Sequence, residues 1–234
     1  MANSIFTDRF ELKYICTISV AEKLKQELSK FIRYDINQSY LNYSIYFDSP
    51  NFTFYREKQQ GLEQRLKPRL RTHINFNSNK NSQWYFEIKE RLDKIIYKNR
   101  EIIDEKILKE TLHGKFSSLK KIKENDMHYF SLIKNCLKPV VNTLYKREAF
   151  VSKNTTNFRL TFDNSITGNI ICTKKISRDR EYILDPRLTL VELKFHKNIP
   201  NYILDVFMKL NIKNINFSKF GKALETFYKT RLNF

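Results

Sequence analysis

The chain has 234 residues, of which 41% are hydrophobic and 14% aromatic, so it can build a sizeable core and is not globally disordered. Its formal net charge of +18 predicts an anionic partner: nucleic acid, an acidic membrane surface, or a phosphorylated molecule or polymer. The start of the chain lacks signal-peptide features, no apolar run approaches the roughly 20 residues of a spanning helix, and three scattered cysteines exclude a disulfide framework. We therefore expect a single cytoplasmic domain over residues 1–234, with buried, reduced thiols.

The chain begins with a predicted strand over residues 6–18, in which Arg9, Glu11 and Lys13 alternate with apolar residues. A capping box from Ser19 to Glu22 then predicts a helix that ends near residue 33. A second strand is predicted over residues 40–47, followed by a short helical turn before the glycine at position 61.

The third strand, residues 63–74, has the most informative pattern. Taken at period two, one face is wholly charged, and Leu66 and Leu70 lie on the other. A single strand of this kind could be an exposed edge strand, but charged and large apolar residues alternate in several other strands as well. This recurrence predicts a sheet whose charged faces converge.

The rest of the chain continues this alternation of strands and helices. Residues 74–82 are rich in Asn and Ser and predict a hairpin loop, and residues 104–136 predict two helices inserted between strands. Further strands are expected over 84–91, 95–102, 140–151, 157–162, 168–173 and 188–196, and helices over 201–210 and 218–232.

These elements predict an α+β fold with about eight largely antiparallel strands. Because the outer helices can cover only the apolar strand faces, the charged faces must enclose a wet tunnel, as in a closed or nearly closed antiparallel β-barrel with reversed polarity. The predicted lining contains twelve basic side chains, Lys13, Arg65, Lys67, Arg69, Arg71, Lys89, Arg91, Lys98, Arg100, Arg147, Arg159 and Lys194, and five acidic ones, Glu11, Glu63, Glu87, Asp163 and Glu192.

Such a lining indicates binding of a polyanion. Burying many like charges without a counter-charge costs several kcal/mol per unpaired ion, and a bound polyanion removes that cost. Arg donates two parallel hydrogen bonds to phosphate, and carboxylates among such cations suit a hard divalent cation that bridges to phosphate oxygens. The four glycines fit neither a P-loop nor a dinucleotide-binding motif, and the four histidines do not form a zinc-protease motif.

Nine short motifs occur in an order that resembles a known family. They are Glu11-x-Lys13-Tyr14, Tyr46-Phe47-Asp48, Lys67-x-Arg69-x-Arg71, Phe86-Glu87-x-Lys89, Lys98-x-Arg100, Tyr145-x-Arg147-x-Ala149, Arg159-x-Thr161-x-Asp163, Glu192-x-Lys194 and Phe217-Ser218-Lys219. Over nearly its whole length, the chain resembles the VTC domain, the polyphosphate polymerase domain of the vacuolar transporter chaperone family, within the CYTH-like triphosphate tunnel superfamily.

The resemblance implies a tunnel of antiparallel strands in which the terminal phosphate of ATP is transferred to polyphosphate with a divalent metal, Mn²⁺ or Mg²⁺. It also implies roles for individual residues. The catalytic, phosphate-binding set is Lys13, Arg69, Arg71, Lys89, Lys98, Arg147, Arg159 and Lys219; Lys67, Arg100, Tyr145 and Ser218 support the bound nucleotide and phosphate; Glu192 binds the metal.

Two positions depart from the family pattern. Pro68 interrupts the ladder between Lys67 and Arg69 and predicts an edge or a bulge, and His73 stands where the family often has Tyr.

Two other functions remain open alongside the polymerase. One is a tunnel triphosphatase, which the presence of Arg9 in place of a fuller run of glutamates disfavours. The other is a non-catalytic module that binds polyphosphate, inositol phosphate or nucleic acid. Nucleic acid is disfavoured because the aromatic residues lie mainly on the strand faces opposite the basic ones. The expected partners are ATP and polyphosphate or another polyanion, and a membrane-protein partner could hold the domain at the inner face of a membrane.

Overall fold

A computed structural model describes residues 9–75, 83–92, 95–153, 158–172, 175–176, 180–196 and 198–228. The strands are β1 (Arg9–Thr17), β2 (Ile32–Asp48), β3 (Gln64–Ile74), β4 (Trp84–Leu92), β5 (Ile95–Ile103), β6 (Lys138–Ser152), β7 (Phe158–Cys172), β8 (Lys175–Ile176), β9 (Glu181–Tyr182) and β10 (Leu188–His196). The helices are α1 (Ile18–Leu28), α2 (Thr53–Gln59), α3 (Glu105–Leu112), α4 (Lys120–Lys123), α5 (Asp126–Lys134), α6 (Asn201–Lys209) and α7 (Lys219–Phe227). Most of the hairpin loop predicted over residues 74–82, from residue 76 onward, lies outside the described residues, as does the predicted end of the last helix beyond residue 228.

The long strands form one antiparallel sheet in the order β1-β10-β7-β6-β2-β3-β4-β5, with β8 and β9 paired to β7. In the described parts of the end strands, no ladder joins β1 to β5. Their Cα atoms nevertheless approach within 8 Å, and the Lys89 ammonium on β4 lies 2.9 Å from the Glu11 carboxylate on β1. The sheet is therefore not closed by backbone hydrogen bonds, but it curls into the expected nearly closed tunnel.

The apolar strand faces point outward and are covered by helices, as the alternation predicted. Leu160 and Phe162 lie in a cluster beneath α1 and α6, and Leu66 and Leu70 lie in a second cluster beneath the α3–α5 segment. A third cluster is formed where α7 packs over β2 and β6. This arrangement leaves the charged strand faces to enclose the interior.

Strand β2 is longer than predicted, and this changes the preceding helix. Its pairing with β6 begins at Ile32 and is interrupted by an irregularity between Tyr34 and Ser39, which hides the alternation in this part of the sequence. Helix α1 therefore ends at Leu28 rather than near residue 33. Its N-cap is Thr17, whose hydroxyl accepts a hydrogen bond from the Val20 amide, and not the predicted Ser19.

Two further elements differ from the prediction. Residues 158–172 form one continuous strand, β7, rather than two, and the 104–136 segment contains three helices rather than two. The additional helix, α4, is a single turn whose first amides, those of Lys120 and Lys121, donate to the Glu101 carboxylate on β5 at 2.9 and 3.0 Å. Because this cap comes from a residue 19 positions away, local sequence does not reveal it.

Pro68 lies at a local edge rather than at a bulge. The β3–β4 register continues through Pro68 and Ile88, whereas the pairing of β3 with β2 ends at Arg69. Pro68 therefore stands where β3 has a ladder on one side, which is a position that tolerates a missing amide hydrogen.

The described helices include none that is long and apolar enough to cross a membrane. Cys16 is buried, as expected, but Cys136 is exposed, because it follows α5 in a turn with a positive φ of 48°.

Candidate functional site

The strands enclose a cavity of about 1100 Å³, which we call the tunnel cavity. Strands β1–β7 and β10 contribute to its wall, and the start of α7 and the α4–α5 segment contribute from outside the sheet. All thirteen residues to which the sequence assigned a role line this one cavity: Lys13, Lys67, Arg69, Arg71, Lys89, Lys98, Arg100, Tyr145, Arg147, Arg159, Glu192, Ser218 and Lys219. Their individual roles remain predictions.

Five residues of the predicted lining do not line the cavity, and two of them, Glu87 and Asp163, are fully buried behind its surface. Arg65 and Arg91 face each other across the β3–β4 ladder but do not line the cavity, and Glu63 is exposed just before β3 begins. The charged alternation in this stretch therefore extends beyond the part of the strand that faces the interior.

Glu87 is fully buried and neutralises one group of cations behind the cavity surface. Its carboxylate lies 2.8 Å from Arg69 Nη2 and 2.5 Å from Lys98 Nζ, with Arg100 Nε at 3.4 Å and Arg71 Nε at 3.6 Å. Burial by itself favours the protonated acid, but Arg69, Arg71 and Lys98 together hold the pKa of Glu87 far below its usual range. Glu87 therefore stays ionised and fixes the positions of four lining cations.

Asp163 and Glu192 form a second buried cluster with Arg147 and Lys219. Arg147 donates through Nε and Nη2 to both oxygens of Asp163, each at 2.6 Å, and Nη2 also donates to Glu192 Oε2 at 3.0 Å. Lys219 Nζ lies 2.8 Å from Glu192 Oε1 and 2.6 Å from Asp163 Oδ2. Against the effect of burial, Lys219 and Arg147 hold the pKa of Glu192 well below its usual range. Both oxygens of Glu192 thus already have cationic partners within the protein.

Glu11 on β1 also lines the cavity. Its carboxylate lies 3.3 Å from Lys13 and 2.9 Å from Lys89. Lys194 faces Glu11 across the β1–β10 ladder and lies 3.4 Å from Glu192 on its own strand. Burial lowers the pKa of Lys194 to about 8, although Glu11 and Glu192 both favour its charged form. The cost of desolvating the Lys194 ammonium therefore exceeds the stabilisation that Glu11 and Glu192 provide.

Lys67 is even less well compensated. Within the described residues no carboxylate lies within 4 Å of Lys67 Nζ, which donates to Ser218 Oγ at 3.4 Å. Burial and the nearby Lys13, Lys89 and Lys58 lower the pKa of Lys67 well below its usual value. Arg71 and Arg159 are ion-paired, with Glu87 at 3.6 Å and Asp35 at 2.8 Å, but their Nε atoms are buried without a hydrogen-bond partner. The cavity therefore holds positive charge and N–H donors that a bound anion would satisfy.

Sequence analysis missed the contribution of β2 to the wall. Tyr46 is buried against Arg69, and although burial opposes ionisation, Arg69, Arg71 and Lys219 lower the pKa of its hydroxyl. Tyr40 also lines the cavity. The signal was present, since Asn42 and Ser44 continue this face at period two.

The α4–α5 segment is the other contribution that sequence analysis missed. Lys121, Glu124, Asn125 and His128 line the cavity from this segment. His128 anchors α5 to the barrel, because its Nε2 lies 2.8 Å from the buried Glu90 carboxylate on β4. These contacts join residues far apart in the sequence, so no local pattern indicates them.

Comparisons with known proteins agree with this geometry. The model of the VTC domain family matches residues 8–228, which is nearly the whole chain. The chain belongs to the VTC domain family. The assignment that the ordered motifs predicted is thereby confirmed. A comparison of this VTC domain with curated proteins gave no significant match.

Two solved structures resemble the fold of this VTC domain. A protein from Bacillus halodurans, named as a candidate adenylate cyclase, is 11% identical with a TM-score of 0.56, and the match covers 94% of this chain and 99% of that one. A protein from Vibrio parahaemolyticus with the same description is 10% identical with a TM-score of 0.48, covering 89% and 94% of the two chains. At such identities, the first likeness supports the tunnel fold and nothing about activity.

The acids of this VTC domain fit a divalent metal that arrives with phosphate rather than one held by protein alone. Within the described residues, no group of three or more His, Cys, Asp or Glu side chains converges on one point. Glu11 and Glu192 are close enough that Glu192 raises the pKa of Glu11, although the surrounding lysines lower it overall. Mg²⁺ is commonly bound by one or two carboxylates together with substrate phosphates. Glu11 and Glu192, now paired with lysine and arginine, would hold it in that way once phosphate oxygens take over those cations.

Proposed function

We propose that this VTC domain is a metal-dependent phosphotransferase that moves the terminal phosphate of ATP onto a polyphosphate chain within the tunnel cavity. The observation that carries the proposal is the uncompensated charge of Lys67, which is buried among other lysines. Arg71 adds an Nε that has no hydrogen-bond acceptor, although it lies 3.6 Å from Glu87. A linear polyanion matches a basic cavity of about 1100 Å³ better than a single small anion does, because the cations come from several strands of its wall.

The chemistry requires no side-chain nucleophile. A terminal phosphate oxygen of the acceptor attacks the γ-phosphorus, a new P–O bond forms, the bond from the γ-phosphorus to the β–γ bridging oxygen breaks, and ADP leaves with that oxygen. Arg69 and Arg71 would donate to the oxygens of the transferred group, and Glu87 holds both guanidinium groups in place before the ligand arrives. Bound at Glu11 and Glu192, a divalent cation would neutralise charge on the phosphate oxygens.

Product analysis distinguishes this proposal from the two alternatives. Purified protein incubated with ATP and Mn²⁺ is expected to release ADP together with a ladder of polyphosphate on a gel. Release of ADP with free phosphate alone would show a triphosphatase instead, and no turnover would leave a binding module. An Arg71→Met variant, which lacks a cavity cation, is the control for contaminating activity and is expected to be inactive.

A pair of variants separates metal binding from phosphate binding. Glu192→Gln removes a negative charge at constant size, so metal-free tripolyphosphate binding should stay equal or tighten while Mn²⁺-dependent turnover falls about 100-fold, as when one group that stabilises a transition state is removed. Arg159→Ala removes a half-buried guanidinium donor at the cavity, which is paired with Asp35, and should weaken tripolyphosphate binding about 10-fold.

The measurements are turnover as a function of Mn²⁺ concentration and calorimetric affinity for tripolyphosphate. An unchanged Mn²⁺ response in Glu192→Gln would mean that Glu192 serves as the ion-pair partner of Arg147 and Lys219 and does not hold the metal.

A further inference from the structure

His73 lines the tunnel cavity but takes no part in the ion-pair clusters described above. It lies on β3 and pairs in register with Asn42 of β2. Its ring lies against Tyr40, with ring centroids 4.8 Å apart, and 6.4 Å from the ring of Tyr85 on β4. Its Nε2 atom is buried and has no hydrogen-bond partner. A buried polar atom without a partner in a cavity wall is costly unless a ligand satisfies it.

The charged groups around His73 are mainly cations. Burial first, and then Arg71, Arg100 and Arg147, lower the pKa of His73 to about 3, while Glu87 opposes this effect. The imidazole is therefore neutral near pH 7, with one nitrogen that donates and one that accepts. A neutral ring in such surroundings adds a hydrogen-bonding group to the wall without adding another positive charge.

The unpartnered polar atoms nearest to His73 along these two strands are also nitrogens. Arg71 Nε, two residues away on β3, and Asn42 Nδ2, opposite on β2, are both buried without a partner. His73 and Arg71 line the cavity, and neither His73 Nε2 nor Arg71 Nε has a hydrogen-bond acceptor, although Arg71 Nε lies 3.6 Å from Glu87. Asn42 is buried behind the cavity wall. A ligand that only accepts hydrogen bonds, such as the oxygens of a phosphate chain, complements the two nitrogens of the lining, whereas a ligand rich in donors does not.

We propose that His73 is a further ligand-binding residue, which donates a hydrogen bond from Nε2 to a phosphate oxygen of the bound chain beside Arg71. The inference rests on the proposed binding of polyphosphate or ATP in the tunnel cavity. The bound anion selects the tautomer that carries hydrogen on Nε2. His73 thus contributes direction rather than charge: its single N–H fixes where one phosphate group lies, while the lysines and arginines supply the attraction.

Two substitutions at His73 separate the donor from the ring. His73→Phe keeps an aromatic ring against Tyr40 and removes the nitrogen, and His73→Gln loses the ring but places an amide N–H near the position of Nε2. Calorimetric titration with tripolyphosphate is expected to show about 10-fold weaker binding for His73→Phe, since a hydrogen bond to a charged acceptor is lost. His73→Gln is expected to stay within about 3-fold of the wild type.

The outcomes keep the inference separate from the proposed function. If the wild type binds tripolyphosphate and His73→Phe binds equally well, His73 is not a ligand-binding residue, although the proposed function stands. If His73→Gln loses as much affinity as His73→Phe, the ring and not the donor matters, and the inference is wrong. If the wild type does not bind tripolyphosphate, both the inference about His73 and the proposed function are wrong.

Nuclear magnetic resonance provides a test that needs no folded His73→Phe variant. In protein labelled with ¹⁵N-histidine, the four histidines give separate imidazole signals, and the His73 signal is identified by its loss in His73→Gln. Tripolyphosphate is expected to shift the Nε2 resonance of His73 while the ring stays neutral, and to slow exchange of its N–H hydrogen. An unperturbed His73 spectrum at saturation would overturn the inference.

Discussion

Replacement of Glu87 by Gln is expected to lower the free energy of unfolding by about 3–5 kcal/mol, the usual cost of removing one partner from a buried ion pair. Glu87 is fully buried and lies within 4 Å of four cations, Arg69, Arg71, Lys98 and Arg100. Without its negative charge these cations repel one another in a desolvated wall. Urea or thermal unfolding of the two proteins without ligand measures the effect.

A bound polyanion should stabilise Glu87→Gln more than it stabilises the wild type. Tripolyphosphate supplies the missing counter-charge, so its addition should raise the melting temperature of Glu87→Gln by a larger interval than that of the wild type. Glu101→Gln is the matched control, because Glu101 is also buried on the sheet but accepts hydrogen bonds from the backbone amides of Lys120 and Lys121. Equal ligand-induced shifts in Glu87→Gln and Glu101→Gln would contradict the role assigned to Glu87.

Acid should reproduce the effect of the Glu87 substitution in the wild type. The pKa of Glu87 is lowered in the folded protein, so its stabilising contribution is complete above the unfolded pKa of about 4.5 and is lost progressively as the pH falls below that value. The difference in stability between the wild type and Glu87→Gln is therefore expected to shrink as the pH falls below this value.

Replacement of Lys67 by Met is expected to act in opposite directions on stability and on binding. Lys67 has no carboxylate within 4 Å in the described part of the chain, and its lowered pKa reflects burial among Lys13, Lys89 and Lys58. Removal of an uncompensated, partly buried charge should raise the free energy of unfolding by about 1–2 kcal/mol. Loss of a charged donor should weaken tripolyphosphate binding about 10- to 100-fold.

Lys25→Met is the control for this prediction. Lys25 is also partly buried, but its ammonium lies 2.7 Å from Glu22 and 2.8 Å from Glu148 outside the tunnel cavity. We expect no gain in stability and no change in tripolyphosphate affinity for this variant. If Lys67→Met destabilises the ligand-free protein and binds tripolyphosphate normally, Lys67 is an ordinary structural lysine. The claim that the cavity wall is built to bind an anion would then be contradicted.

The sequence predicted the fold well wherever one strand has a clean alternation. Strands β3, β4 and β5 were placed to within about two residues, because a charged interior and an apolar exterior give a strong period of two. The prediction failed in the first half of β2, where an irregularity between Tyr34 and Ser39 shifts the register. It also failed at α4, whose cap is the distant Glu101.

Which residues make up the site was more predictable than which of them form ion pairs with one another. The basic residues were recognised because each occupies the charged side of a strand, and ordered short motifs located Ser218 and Lys219 outside the sheet. Alternation cannot show which cations share an acid, so it did not distinguish Glu87, which holds four of them, from the exposed Glu63. Nor could it distinguish Lys67, which has no acidic partner among the described residues, from Lys219, which has two.

Thermal unfolding of the wild type with and without tripolyphosphate tests the central claim, that the tunnel cavity is a binding site for a phosphate chain, most directly. At a concentration about 100 times its dissociation constant, a ligand specific for the folded state raises the free energy of unfolding by about 2.7 kcal/mol. For a domain of this size this corresponds to a rise in melting temperature of roughly 5–10 °C. We expect a rise of this order with tripolyphosphate, and little change with sodium chloride at the same ionic strength. An unchanged midpoint at saturating tripolyphosphate would contradict the account.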